Sequence, residues 1–492
     1  MPDEVFVPRD RWPVIATFFF SLLAFTGIGV LSSLRKRATT RDYLLAGRGV
    51  SPWLVALSAV ATMSSGFMFV GMIGFTYRDG LSSIWMLVGW TIGDLVAWLF
   101  MYRRLRETSQ DRDEISVLAL LRPQHTLNRR ILVPLAGLLS VFYLAMYAAA
   151  QLKAGSTALH SIFGMPPNTG AIIGAAIVVI YCFSGGIRAS IWTDAAQSIV
   201  MMGSMFILVA VAAWDIGGPA ALLSQLEAID PKLTSALPEN LRFGFVLYLL
   251  GMAFGGFGVT GQPHILVRSL CIEDAAQIKR ARFYYFLWLV PFYAMAIGVG
   301  LYARVSVPEL AEATDVVKAS EQALVALSLE LLPGVLVGLI LAGLFSATMS
   351  TADSQVIACT SAVTQDIQPH WKDSYKASKV TTLAVTALAL GIALSSADGV
   401  FDLVLDAWAV LSCAIGPLLL ISVFKWPYSQ RMGVVMLLVG VGVSNAWAAS
   451  PLAADIYVNL PGMVAVFLAY LAMLGIHRAR FALETRRGPS GA

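Results

Sequence analysis

The chain has 492 residues, 58% of them hydrophobic and 13% charged, with a formal net charge of +4. A soluble chain carries about a quarter charged residues, so this deficit excludes an ordinary globular enzyme and points to a polytopic membrane protein. Four scattered cysteines (Cys182, Cys271, Cys359, Cys413) and five histidines form no ligand spacing, and no phosphate-cradling loop or nucleophile–base constellation is present. The sequence therefore supports neither an ATP-driven pump nor an enzyme.

Apolar runs of about 20 residues mark candidate membrane helices. In chain order they are Trp12–Ser32, Pro52–Tyr77, Leu81–Tyr102, Ile131–Phe163, Gly170–Phe183, Ile191–Ala213 and Phe243–Gly261. Phe283–Ala303, Leu331–Ala362, Thr381–Ser395, Phe401–Phe424, Met432–Ala449 and Pro461–Ile476 follow, about 13 spans in all. The first is followed by Arg35, Lys36 and Arg37, the pattern of a retained span with its cytoplasmic anchor rather than a cleaved leader. Alternate loops are basic: Arg35 to Arg48, Arg103 to Arg130, Arg188, Arg268 to Arg282, Lys372 to Lys379, Lys425 to Arg431, and the tail from Arg478. Glu309, Glu312 and Asp315 lie on the opposite side. The positive-inside rule then predicts an N-terminus outside and a C-terminus inside.

Two of these runs carry breaks. Thr62-Met63-Ser64-Ser65-Gly66 interrupts the second, and Gly251, Gly255, Gly256, Gly258 and Gly261 crowd the seventh. Glycine inside a helix costs about 1 kcal/mol relative to alanine, and freed carbonyls at membrane depth are tolerated where they line a cavity. Each broken run is the first of a block of five, 51–215 and 243–424, and an odd number of spans per block inverts one against the other. Interrupted helices at matching positions of inverted repeats point to a transporter's central site; the alternative is close packing through small residues. Residues 1–50 then form an extra helix and loop, 216–242 an outer loop, and 425–492 two further helices with a tail.

The ninth run contains Ser346-Ala347-Thr348-Met349-Ser350-Thr351-Ala352-Asp353-Ser354. Positions 347, 350, 351 and 354 share a helix face, with Asp353 beside Ser350 and Ser354. Hard cations prefer oxygen ligands, and hydroxyls facing carbonyls of an unwound helix make such a cage. Serine and threonine more often bond back to their own helix, but an intramembrane carboxylate is a functional candidate by default.

At these residues the chain resembles the sodium:solute symporter family, and within it the sodium/proline symporters. Tyr43-Leu44-Leu45-Ala46-Gly47-Arg48, Gly185-Gly186-Ile187-Arg188 with Ile191-Trp192-Thr193-Asp194, Gly261-Gln262-Pro263-His264-Ile265-Leu266 and Met349-Ser350-Thr351 carry the resemblance, in order along the chain. It implies a leucine-transporter-like all-α fold of two inverted five-helix repeats and sodium-driven uptake of a small organic solute across the inner membrane. It also implies sodium ligands at Ala61, Ser64 and Ala347 (carbonyls) and at Ser350 and Thr351 (hydroxyls). A second sodium or proton site maps to Asp194, Ser350, Asp353 and Ser354, where members usually have a hydroxyl in place of Asp353. Solute contacts are expected at Ser65, Gly66, Tyr147, Gln151, Phe257 and Gly258.

Other departures concern the solute. Met63 stands where the proline branch has an aspartate, and Gly255 and Val259 where it has two aromatic residues. Lys153 is either a partner for a solute carboxylate or a side chain snorkelling outward. An amino acid such as proline or a related small carboxylate is the expected cargo, with proton coupling or monocarboxylate symport as alternatives. The rival class is a transporter-like nutrient sensor, against which stands a tail after His477 too short for a kinase. No obligatory protein partner and no nucleic acid are expected.

Overall fold

The computed structural model describes residues 11–123, 131–166, 168–395 and 400–486. Arg129 and Arg130 of the predicted basic loops lie outside the described residues, as do the first ten residues and the last six. The described residues are helical with no strand, apart from one isolated bridge between Val50 and Ile272.

The long helices are α1 (Arg11–Ser32), α2 (Pro52–Phe69), α3 (Gly71–Asp79), α4 (Ile84–Phe100), α5 (Tyr102–Asp111), α6 (Leu132–Phe163), α7 (Thr169–Gly185) and α8 (Ile187–Ile216). After an outer segment come α9 (Gly244–Phe257), α10 (Pro263–Leu270), α11 (Ile278–Ser306), α12 (Gly334–Ser361), α13 (Tyr375–Ser395), α14 (Val400–Val423), α15 (Gln430–Ala448) and α16 (Asn459–Arg486). Twelve stretches among the described residues are long and apolar enough to cross a membrane, and α7 is a shorter apolar helix.

Burial sorts centre from rim. The apolar windows of α2 and α12 are 83% buried and that of α14 89%, whereas those of α1, α8, α15 and α16 are 28% buried. A helix apolar on every face and buried on most of them belongs in the middle of a bundle. Around that centre, α12 packs on α1, α2, α6 and α8, α2 on α8 and α11, and α4 runs along α9.

Both expected breaks occur, each at a definite residue. In α2 the helix is interrupted at Ser65, with φ 43° and ψ 176°. A non-glycine residue there costs of order 1–3 kcal/mol and persists only where the surroundings hold it. The second break falls between α9 and α10, where Gly258–Gly261 tightens into a 3-10 turn and Gln262 is extended. The glycines before it do other work. A Cβ on Gly255 would meet Trp90 Nε1 at 2.8 Å, and one on Gly256 would collide with the Trp90 backbone. Gly255 and Gly256 thus bring α9 against α4, the small-residue packing of membrane helices.

Two of the motifs meet in space. Arg188 donates to Asp42 Oδ1 at 2.6 Å and to the Ala46 carbonyl at 2.8 Å. Gly186, at φ 58°, lies against the Tyr43 backbone, where any Cβ would clash.

Candidate functional site

The break in α2 releases backbone groups toward α12 and α6. In an unbroken helix the Gly66 N–H would bond the Thr62 carbonyl; here it donates to Gln151 Oε1 at 2.8 Å. The Thr62 carbonyl accepts instead from Thr351 Oγ1 at 3.0 Å, and that hydroxyl also lies 3.0 Å from the Ala347 carbonyl. Ser350 Oγ is 3.2 Å from the Ala61 carbonyl and 3.2 Å from that of Ala347. All of these residues are buried. The carbonyls of Ala61, Thr62 and Ala347 and the hydroxyls of Ser350 and Thr351 therefore converge as neutral oxygens, a donor set suited to a hard monovalent cation. Rotating the hydroxyl protons away turns the same oxygens toward an ion. Ser64 is buried on the same turn and its hydroxyl bonds back to the Val60 carbonyl at 2.8 Å. Thr62 is the ligand candidate that sequence reasoning missed; its signal was the break itself, which frees carbonyls one turn upstream.

One turn further along α12, the expected second site contains an arginine. Asp353 Oδ1 accepts from Ser190 at 2.9 Å and Ser354 at 3.0 Å, and Oδ2 from the Tyr181 hydroxyl at 2.7 Å. Asp194 Oδ2 accepts from Ser58 at 2.6 Å, while its Oδ1 has no partner. Between the two acids stands the Arg268 guanidinium, 0% exposed, 3.4 Å from Asp194 Oδ2 and 3.9 Å from Asp353 Oδ1. Arg268 also donates to Ser354, to Ser190 at 2.9 Å, to Ser58 at 3.2 Å and to the His264 carbonyl at 2.6 Å. One side chain on α10 thus ties α2, α8 and α12 together. Arg268, expected from the sequence in a basic loop, is instead buried inside the bundle. The Ser350 hydroxyl belongs to the first cage, and only its carbonyl reaches Ser354, at 2.5 Å.

Of the expected solute residues, Ser65, Gly66, Tyr147 and Gln151 meet at the α2 break, while Phe257 and Gly258 lie at the second break. Tyr147 and Gln151, one turn apart on α6, face it together; both are buried, and Gln151 Nε2 has no partner. Tyr147 packs edge-on to His264 at 5.8 Å, and both ring nitrogens of His264 lack partners. Ser65 and Gly66 form the break itself, and the Gly66 Cα lies against Thr348 and Gln151. Phe257 closes α9 half-buried, and the Gly258 carbonyl accepts from Ser412 at 2.9 Å. Lys153, two residues past Gln151, is roughly 200° round the helix from it by the α-helical repeat. It is half-buried and stands on a different face from the Tyr147–Gln151 pair.

Aromatic surface arrives from unexpected helices. Trp90 of α4 stacks on Phe67 at 6.2 Å and on Trp408 at 5.5 Å, with Tyr457 tilted against it at 6.1 Å. These rings occupy the space beside Gly255, where the proline branch is expected to carry an aromatic side chain of its own. The polar groups Trp90 Nε1, Gln262 Oε1 and the Tyr457 hydroxyl are buried without partners, and buried polar groups call for partners.

A helical membrane bundle with two interrupted central helices, an oxygen cage at one break and a polar, aromatic-walled space beside it defines a secondary transporter. The sodium:solute symporter family model matches residues 43–440, and the chain belongs to that family. It is 30% identical to the sodium/proline symporter of Haemophilus influenzae, over 94% of this chain and 94% of that protein. It is 27% identical to the high-affinity proline transporter of Bacillus subtilis, over 88% of this chain and 92% of that protein. A solved Na+-coupled sialic acid symporter, in a substrate-bound outward-open state, superposes with a TM-score of 0.76 at 19% identity, covering 93% of this chain and 96% of its own. At that identity the likeness shows the fold, which is leucine-transporter-like. The chain is a sodium-coupled symporter, with Na+ as its coupling ion.

Proposed function

We propose that the cargo is a small solute bearing a carboxylate, an amino acid of proline's size foremost, imported across the inner membrane by alternating access. Sodium binds the Ala61, Thr62, Ala347, Ser350 and Thr351 oxygens, with Ser64 as a further carbonyl ligand. The solute lies against Ser65, Gly66, Tyr147, Gln151, Phe257 and Gly258, under the Trp90–Trp408 wall. The observation that carries this reading is the Ser65 break, whose one side frees carbonyls to the ion and whose other side presents Gly66 and Gln151 to the solute. Ion binding and solute binding then stabilise the same conformation of α2, so each raises affinity for the other. The proposed arrangement is thirteen spans, N-terminus out and C-terminus in, with 51–215 and 243–424 as inverted repeats.

Lys153 is assigned to the lipid or headgroup side rather than to the solute, because of its position round α6. The cluster of Asp194, Arg268 and Asp353 supports a second reading within the same function. It sets two carboxyl groups against one guanidinium, so a further positive charge, sodium or proton, completes it. Proteoliposomes separate the two: a second sodium raises the sodium-to-solute ratio, whereas a proton makes uptake acidify the lumen. Uptake unaffected by replacing the sodium gradient with a potassium gradient would reject the sodium site itself.

A further inference from the structure

Outside the ion and solute sites, a group of buried polar side chains surrounds Asp94. This residue lies on α4, 1% exposed, and the polar group that faces its carboxyl oxygens is the Tyr285 hydroxyl of α11. None of the ion pairs among the described residues includes it. Trp98 and Tyr102 follow one and two turns later, their rings stacked at 4.0 Å and 5°. Tyr285 of α11 closes the third side, 5.0 Å from Trp98. The Trp98 indole N–H and the Tyr102 hydroxyl are themselves buried without partners.

The groups facing Asp94 are thus neutral: Tyr102 on α5, and Tyr285 and Tyr293 on α11. From α9, packed along the other face of α4, come Met252, Ala253 and Phe257 against Gly89 and Gly93. The one titratable residue of α9, Tyr248, faces Asp79 instead. Among the described residues, no lysine, arginine or histidine takes part. An unpaired carboxylate at membrane depth is costly, whereas a neutral acid costs little and can donate as well as accept.

We propose that Asp94 is a proton-binding site: its carboxyl group carries a proton while the α4–α11 seam is packed, and releases it to water when that seam opens. The site has a route to transport. Trp90 precedes Asp94 by one turn on α4 and stacks on Phe67 and Trp408 at the solute wall. Ionising Asp94 disfavours the packed seam and loosens that wall, so transport declines toward alkaline pH. The proposal does not depend on the identity of the solute or of the coupling ion.

Infrared spectroscopy of the full-length protein in lipid tests it through the carbonyl stretch of protonated carboxylic acids. The parent should show a band that Asp94→Asn abolishes, and the variant, which mimics the neutral form, should transport without the alkaline decline. A protonated-carboxyl region unchanged by Asp94→Asn overturns the proposal. If that variant fails to fold, Tyr285→Phe removes a hydroxyl facing the acid and should shift the same band. An unshifted band in Tyr285→Phe overturns it equally.

Discussion

Arg268→Gln tests the buried cluster most severely. The substitution removes the charge that stands 3.4 Å from Asp194 and 3.9 Å from Asp353, and leaves two carboxyl groups with only hydroxyl donors. Removing one partner of a buried ion pair typically costs ~3–5 kcal/mol, because the other is left uncompensated. A cation that enters the vacated space restores part of this; a ligand at a hundred times its Kd contributes about 2.7 kcal/mol. Thermal unfolding of purified protein in sodium and in choline chloride reads both effects. The variant should unfold well below the parent in choline, and sodium should raise its Tm by more than it raises the parent's. Adding Asp353→Ser to Arg268→Gln returns the cluster to one excess acid and should recover most of the loss. A parent-like Tm for Arg268→Gln in choline would refute the reasoning, as would strict additivity of the two substitutions, since groups this close must couple.

Ser350→Ala or Thr351→Ala removes one oxygen from the cage, so each should raise the sodium concentration for half-maximal uptake, on the order of tenfold for a loss of about 1–2 kcal/mol; unchanged sodium dependence in both would misplace the site. Tyr147→Ala should weaken solute affinity while solute-free sodium binding, followed by tryptophan fluorescence, stays near the parent's, and equal loss of both would indicate a folding defect. Asp353→Ser should be tolerated better than Asp353→Asn, because Tyr181, Ser190 and Ser354 all donate toward position 353 and an amide N–H there meets donors. Both variants should alter the ion-to-solute ratio or the pH profile of accumulation; parent-like behaviour in both would reduce Asp353 to a packing residue.

Much of the fold was legible because a membrane imposes long apolar runs and because broken helices announce themselves through clustered glycine and hydroxyl residues. Ser350 and Thr351 were legible for the same reason: paired hydroxyls at helical spacing opposite a break. Arg268 was not. A basic residue a few positions past an apolar run reads as a loop anchor; it is buried beside Asp194 because α10, beyond the break at Gln262, packs on α2 and α12. The Trp90, Trp408 and Tyr457 wall was hidden too, since its members come from α4, α14 and the loop before α16, far apart in sequence. The glycines here carried an ambiguous signal, as packing and a helix break ask for the same residue; Gly255 and Gly256 pack on α4, while Gly258 and Gly261 both form the 3-10 turn and lie close against α14.

Solute uptake into proteoliposomes containing only this protein, driven by an inward sodium gradient and screened over proline, other small amino acids and monocarboxylates, bears most directly on the account. At least one small carboxylate should accumulate above its external concentration, with accumulation abolished when sodium is replaced by potassium or choline and reduced by Ser350→Ala. Accumulation that persists without sodium, or no sodium-driven uptake of any carboxylate alongside sodium-driven uptake of an uncharged solute, would contradict it.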